Sequence, residues 1–195
     1  MMRRFAIAIF ALLILVSTTF AQDHRERTPP PPGPTPPPIQ PQTQPLRYNS
    51  PEGRYSIMFP SQPKLSTQNM TDASGQPYVQ YMAMASDADT LLMVAYFDYG
   101  SGIVFSLDKA RDGMVQALGG TLLDEQSISL GGAPGRQLKI AGTTQGIEFI
   151  DRVRFFDVNR RIYVLQCMAQ RRADGPTSAE RCEQFFDSFR TQTAR

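Results

Sequence analysis

Among the side chains that could do chemistry in this chain there is one histidine, His24, and it lies near the N-terminus. Histidine is the commonest general acid or base near neutral pH and the commonest metal ligand in proteins. The chain after residue 45 therefore has no imidazole base and no histidine ligand, which disfavours most hydrolase chemistry. We predict no catalytic residue, no metal ligand and no cofactor, and we expect that the protein is not an enzyme.

Several groups of carboxylates could bind calcium or cleave glycosides, but the sequence lacks the other residues or the spacing that such sites need. An EF-type calcium loop needs ligands at several fixed offsets and a terminal glutamate, which the acidic residues near 87–89 and 124–125 do not provide. Glu148 and Asp151 form a candidate pair for glycoside cleavage only if the fold sets the required separation, and their spacing does not favour it. We interpret the first two groups as solvated turns: Asp87, Asp89, Asp124 and Glu125.

A glycine-rich run occupies residues 131–136 (Gly-Gly-Ala-Pro-Gly-Arg). A phosphate-binding loop opens onto a helix N-terminus and ends in Gly-Lys-Ser/Thr, whereas this run is followed by a predicted strand. The run is therefore predicted to be a hairpin turn across residues 131–135.

Cys167 and Cys182 are the two cysteines of the chain. If the chain is exported, they meet an oxidising compartment in which neighbouring thiols form disulfides. We predict a Cys167–Cys182 disulfide, with two buried free thiols as the alternative. A redox-active pair is disfavoured because the two lack the Cys-x-x-Cys spacing that lowers a thiol pKa.

An arginine group is the most prominent charged feature. Arg152 and Arg154 project from one face of the predicted strand Ile147–Phe156. The other four arginines lie at the two ends of the predicted partner strand Arg161–Gln170. Guanidinium groups bind carboxylates and phosphates through paired hydrogen bonds, so an acidic protein or a polyanionic envelope polymer would fit. The alternative is a charged rim that keeps the sheet soluble. The predicted anionic-partner face consists of Arg152, Arg154, Arg160, Arg161, Arg171 and Arg172.

Alternation of apolar and polar residues predicts that strands position these groups, and that the sheet is antiparallel. Leu91–Tyr99 is apolar on both faces and should be a central strand. The other predicted strands are Tyr55–Phe59, Lys64–Thr71, Tyr78–Ser86, Thr121–Leu130, Gln137–Ala141, Ile147–Phe156 and Arg161–Gln170, with a turn over residues 157–160 between the last two.

Helical spacing appears twice. A first helix is predicted to begin after Ser106 as N-cap and to end at Gly119-Gly120. A second is predicted to begin with a capping box from Thr177 to Glu180. Its apolar face, which should pack on the sheet, carries Cys182, Phe185, Phe186 and Phe189.

The N-terminus predicts export. Arg3-Arg4, the apolar run Phe5–Val16 and a cleavage position after Ala21 give residues 1–21 the pattern of a signal peptide. Residues 22–45 are predicted to be a disordered proline-rich linker, because they offer almost nothing apolar to bury. We expect a periplasmic or secreted protein. In the alternative, an uncleaved N-terminal segment tethers it to the inner membrane.

Residues 46–195 have the usual length of one domain. With a formal net charge of +2, the chain carries no global field that points to nucleic acid. We expect no nucleic-acid partner. Membrane contact is expected only if the signal segment stays uncleaved, and the oligomeric state is left open.

Four segments carry a family resemblance: residues 55–63 (YSIMFPSQP), 132–136 (GAPGR), 161–165 (RIYVL) and 185–189 (FFDSF). They resemble exported bacterial domains with the PsbP-like fold, which is shared by the PsbP subunit of the photosystem and the Mog family of nuclear-import factors. The resemblance implies an α+β domain in which helices cover a twisted antiparallel β-sheet. It also implies a role in binding or assembling partners. The metal-associated histidines of photosystem subunits have no counterpart here, so no functional residue is carried over.

We therefore expect a non-enzymatic envelope module that binds an unknown envelope protein, as an assembly or stability factor. The alternative is a domain that binds a small ligand or a cell-wall polymer in a groove between helix and sheet. An enzyme is the third reading.

Overall fold

The computed structural model describes residues 45–72, 75–87 and 90–192, which form two antiparallel sheets and two α-helices. The predicted signal peptide and nearly all of the predicted linker lie outside these residues. Within the described part of the chain, no helix is long and apolar enough to cross a membrane.

The larger sheet has seven strands in the order β3-β4-β5-β9-β8-β7-β6, and each neighbouring pair is antiparallel. β5 lies in the interior of the sheet, as its apolar sequence predicts. The strands are β3 (Lys64–Thr71), β4 (Pro77–Asp87), β5 (Thr90–Asp98), β6 (Thr121–Leu130), β7 (Ala133–Thr144), β8 (Ile147–Val158) and β9 (Arg161–Gln170).

Two hairpin turns are shorter than predicted. β6 and β7 are joined by Gly131-Gly132 instead of a five-residue loop, and β8 and β9 by Asn159-Arg160 instead of four residues. All four turn residues have positive φ angles between 52° and 85°. Two-residue turns with positive φ match the right-handed twist of the strands, so the strands continue almost to the chain reversal.

A second sheet corrects the expectation of a single one. It has three strands in the order β1-β2-β10: β1 (Leu46–Ser50), β2 (Tyr55–Phe59) and β10 (Arg190–Thr191). Only β2 was predicted. Its buried residues Tyr55, Ile57 and Phe59 pack in the core cluster that contains Val94 and Leu165 of the large sheet.

The first helix agrees with the sequence, but the start of the second does not. α1 (Leu107–Ala117) is capped by Ser106, whose Oγ accepts a hydrogen bond from the Lys109 N–H at 3.3 Å. α2 (Pro176–Asp187) begins one residue before Thr177. Its N-cap residue is Gly175, which has no side chain that could cap the helix. The predicted capping box is therefore wrong. Pro176 takes the first helical position, where its fixed φ suits the helix and its missing N–H costs nothing.

Both faces of the large sheet are covered in part. One face, which we call the disulfide face, carries Val94, Leu165 and Cys167 and packs against α2 and the small sheet. The opposite face, the α1 face, carries Ala95, Val153 and Val164 and packs against α1. The predicted disulfide is confirmed: Cys167 of β9 and Cys182 of α2 are joined with a Cα–Cα distance of 5.5 Å.

Candidate functional site

Arg152 and Arg154 lie on the disulfide face of β8, and both contact carboxylates of the same chain. The Arg152 Nη1 lies 2.6 Å from Asp174, and Arg154 binds Glu183 and Asp187 of α2. Their side chains are 13% and 19% exposed. The ion pairs of these two arginines therefore connect α2 and the residue Asp174 before it to the large sheet.

The remaining arginines divide between the two ends of β9. Arg161 donates from Nε and Nη2 to the two oxygens of Asp98, both at 2.7 Å, and its guanidinium lies 4.8 Å from the Tyr96 ring centroid. At the other end, the exposed Arg171 lies 3.9 Å from Glu148. No ion pair of Arg160 or Arg172 occurs among the described residues. That the six arginines receive an anionic partner stays a prediction.

The candidate carboxylate pair is separated by the sheet. Glu148 is exposed, whereas Asp151 is fully buried on the α1 face. Asp151 Oδ2 accepts a hydrogen bond from Gln166 Nε2 at 2.8 Å. Burial raises the pKa of Asp151 to about 7, opposed by the Gln166 hydrogen bond and the charge of Arg152. Because residues 148 and 151 point to opposite faces of β8, they do not form the pair that glycoside cleavage needs.

The other acidic groups are held in ion pairs or hydrogen bonds of the fold. Glu125 binds Arg111 and Arg136, and Asp87 lies 3.2 Å from Arg181. Asp124 accepts a hydrogen bond from Gln126, and Asp89 lies outside the described residues. Within residues 45–72, 75–87 and 90–192, no group of three or more His, Cys, Asp or Glu side chains is placed to hold a metal ion.

An open cavity of about 310 Å³ lies between the two sheets, and we call it the inter-sheet cleft. The small sheet contributes its edge strand β1, the following turn and the first residue of β2, and the large sheet contributes its edge strand β3 together with β4 and β5. The lining residues are Tyr48, Ser50, Glu52, Tyr55, Leu65, Ser66, Thr67, Tyr81, Met82, Ala83 and Tyr96.

Tyrosine rings form the walls of the inter-sheet cleft. Tyr81 stacks on Tyr96 with ring centroids 4.9 Å apart, and Tyr81 is 41% exposed whereas Tyr96 is buried. Burial raises the pKa of both Tyr55 and Tyr96 above the ordinary phenol value, so these two side chains stay neutral at physiological pH. Glu52 is the one ionisable lining residue other than the tyrosines. The cleft therefore suits an uncharged or apolar ligand group.

Two open strand edges border the same cleft. Among the described residues β1 pairs only with β2 and β3 only with β4, so each strand keeps one edge without a strand partner. Three consecutive β3 residues, 65–67, line the cavity. Successive side chains point to opposite faces, so the backbone of β3 also borders the cleft. Leu65 on this edge is 62% exposed.

A second cavity, of about 570 Å³, lies where α2 meets the edge strand β6, and we call it the helix–sheet groove. It has the position that the sequence suggested for a small-ligand site. Its charged residues have partners within the fold, since Arg154 binds Glu183 and Asp187 while Arg190 donates to the Asp187 and Phe189 carbonyls. The lining residues are Ile128, Ser129, Leu130, Arg154, Phe156, Phe186, Asp187, Phe189 and Arg190.

Reasoning from the sequence missed the inter-sheet cleft, because β1 was not predicted. The available signal was Leu65 near the start of a mostly polar predicted strand, followed by Tyr81 in the next. The paired register places Leu65 beside Ala83 and Thr67 beside Tyr81, so all four residues share the disulfide face.

Comparison with known proteins shows the fold. No protein-family model matches the chain, and no curated protein sequence matches it. The cyanobacterial PsbP protein (CyanoP) of Synechocystis sp. PCC 6803 is similar in structure, with a TM-score of 0.53 and 12% identity over 76% of this chain and 93% of that one. A Pseudomonas aeruginosa protein of unknown function gives a TM-score of 0.45 at 10% identity, covering 77% of this chain and 99% of that one. The similarity to the cyanobacterial PsbP structure shows that the described domain has a PsbP-like fold, as the sequence resemblance implies.

Proposed function

We propose that this protein is a non-catalytic binding module of the cell envelope, and that an extended segment of a partner protein occupies its inter-sheet cleft. The observation that carries the proposal is the open edge of β3 beside exposed apolar and aromatic side chains. A strand edge offers a row of backbone donors and acceptors, and extended peptides bind such edges by adding a strand.

The side chains around this edge favour a protein segment as the occupant. Leu65, Val79 and Tyr81 are exposed on the disulfide face of β3 and β4, and Leu46 is 40% exposed on β1. Natural edge strands are usually protected by charge or by a covering element; Lys64 supplies one charge at the start of this edge, but the neighbouring Leu65 is exposed. An added strand would bury these side chains and pair the backbone in the same step.

The disulfide supports an envelope location for the binding module. Cys167 and Cys182 are both fully buried and paired, and stable disulfides form in oxidising compartments. Export through the predicted signal peptide would bring the chain into such a compartment.

Capture in intact cells tests the proposal. The full chain with a C-terminal tag is expressed natively and cross-linked, and partners are quantified for the wild type, Leu65→Glu and Leu123→Glu. Leu123 is the matched control because it is 52% exposed on β6, the opposite edge strand of the same sheet. Neither exposed position should alter folding by more than about 0.5 kcal/mol.

The expected result is an envelope protein that is lost from the Leu65→Glu bait and retained by the Leu123→Glu bait. Equal capture by all three baits would contradict a role of the cleft. If partner capture is lost instead in an Arg160→Glu/Arg172→Glu variant, the predicted anionic-partner face becomes the binding surface.

A small ligand or cell-wall polymer in the helix–sheet groove is the second candidate function. The volume of about 570 Å³ is within the usual range of small-molecule sites. Binding of purified peptidoglycan fragments that is lost in Ile128→Glu and retained in Leu65→Glu would favour this candidate over the first.

A further inference from the structure

Three methionines gather on the α1 face where β4, β5 and β9 lie side by side. Met84 stands directly opposite Met93, and Met93 stands opposite Gln166, two residues before Met168 on β9. Directly opposite residues have Cβ atoms about 5 Å apart, and diagonal neighbours have Cα atoms about 7 to 8 Å apart. The unbranched methionine side chain has three rotatable bonds, so these three thioethers can meet over Met93.

These methionines are more exposed than Met70 and Met82 on the same face of the sheet and than Met114 of α1. Met82 and Met114 are 5% and 0% exposed in the core beneath α1. Met84, Met93 and Met168 are all only partly buried. The buried side of α1, with Ala110 and Met114, packs most extensively against β7, which is separated from β4 and β5 by β8 and β9. The three thioethers therefore lie at a corner that solvent can reach.

A buried polar pair lies beside the methionine corner. Asp151 is opposite Met168 across β8 and β9, and Gln166 is opposite Met93 across β5 and β9. Asp151 is fully buried, and its Oδ1 has no hydrogen-bond partner within the described part of the chain. A buried carboxylate with an unpaired oxygen is costly unless a cation compensates its charge; without one the group tends to take up a proton, in line with the raised pKa of Asp151.

We propose that Met84, Met93 and Met168 bind a soft monovalent cation, Cu(I), with Asp151 providing compensating negative charge behind the sulfur atoms. Thioether sulfur is a soft ligand that selects Cu(I), whereas Ca²⁺ and Mg²⁺ require sets of oxygen ligands that this corner lacks. The proposal is independent of the inter-sheet cleft, which lies on the opposite face of the sheet.

Competition for Cu(I) tests the methionine site. The full chain with its disulfide intact is titrated anaerobically with Cu(I) against a chromogenic Cu(I) chelator, and the ligand atoms are identified by X-ray absorption. The variants are Met84→Leu, Met93→Leu, Met168→Leu and the triple variant, because leucine replaces methionine with little change in volume. Met58→Leu is the matched control, since Met58 is also partly buried but belongs to β2 of the small sheet.

The expected result is one Cu(I) per chain with sulfur ligands. Each single variant should weaken binding at least about tenfold, as loss of a contact that supports a metal does. The triple variant should abolish binding, and Met58→Leu should leave it unchanged. Failure of the wild type to compete with the chelator, or equal binding by the triple variant, would overturn the proposal, as would a copper shell made only of nitrogen and oxygen. Circular dichroism and a free-thiol assay confirm that each variant is folded and oxidised.

Discussion

Loss of the Cys167–Cys182 disulfide should lower the free energy of unfolding by about 3 kcal/mol. The two cysteines are 15 residues apart in sequence. In the chain-entropy model, a cross-link that closes a loop of this length lowers the entropy of the unfolded chain and so raises its free energy by about 3 kcal/mol. The Cα–Cα distance of 5.5 Å is ordinary for a disulfide, so a Cys167→Ala/Cys182→Ala variant can keep the native backbone. The loss is a large share of the 5 to 15 kcal/mol typical of a domain.

Urea unfolding at pH 7 measures the effect of the disulfide. The chain has no tryptophan, so tyrosine fluorescence and far-UV circular dichroism are the probes. Reductant should lower the stability of the wild type to that of the double variant and should leave the double variant unchanged. A difference below about 1 kcal/mol between the oxidised wild type and the variant would refute the chain-entropy argument, and an equal effect of reductant on both would show that it acts elsewhere.

Two further predictions concern ion pairs of the domain. Arg154→Gln removes the contacts with Glu183 and Asp187 and should lower the free energy of unfolding by about 1 to 2 kcal/mol. The control Arg172→Gln should change this free energy little. Urea unfolding measures both effects. The hydrogen bond from Arg161 lowers the pKa of Asp98, so this carboxylate stabilises the fold above its unfolded pKa of about 3.8 and loses that contribution as the pH falls through its folded pKa. Asp98→Asn should therefore destabilise the protein more at pH 7 than at pH 3, and an equal effect at both pH values would contradict this assignment.

The sequence predicted those features that depend on neighbouring residues. The start of α1 depends on Ser106, and its end on the glycines at 119 and 120, so the boundaries could be read locally. The disulfide followed from two cysteines placed on predicted elements that pack together. The face shared by Arg152 and Arg154 followed from the alternation of a strand.

Features that depend on distant segments were missed. β1 and β10 are short strands stabilised by pairing with β2, and their own sequences carry little strand signal. The carboxylates of α2 that bind Arg154 could not be placed without the packing of α2 on the sheet. The inter-sheet cleft needs β1 and β3 to lie at facing edges of different sheets. The methionine corner needs β5 to pair with β9, which brings Met93 close to Met168.

The two candidate sites share a physical origin in the incomplete covering of the large sheet. On the disulfide face, α2 and the small sheet leave Leu65, Val79 and Tyr81 exposed on β3 and β4. On the α1 face, Met84 and Met93 stay partly exposed on β4 and β5. Large apolar side chains gathered on a surface indicate an interaction site more often than chance exposure does. Because neighbouring β4 residues point to opposite faces, the same strand presents Tyr81 to the cleft and Met84 to the methionine corner. The uncovered end of this one sheet therefore carries both proposed sites on opposite faces, so that both can be occupied at the same time.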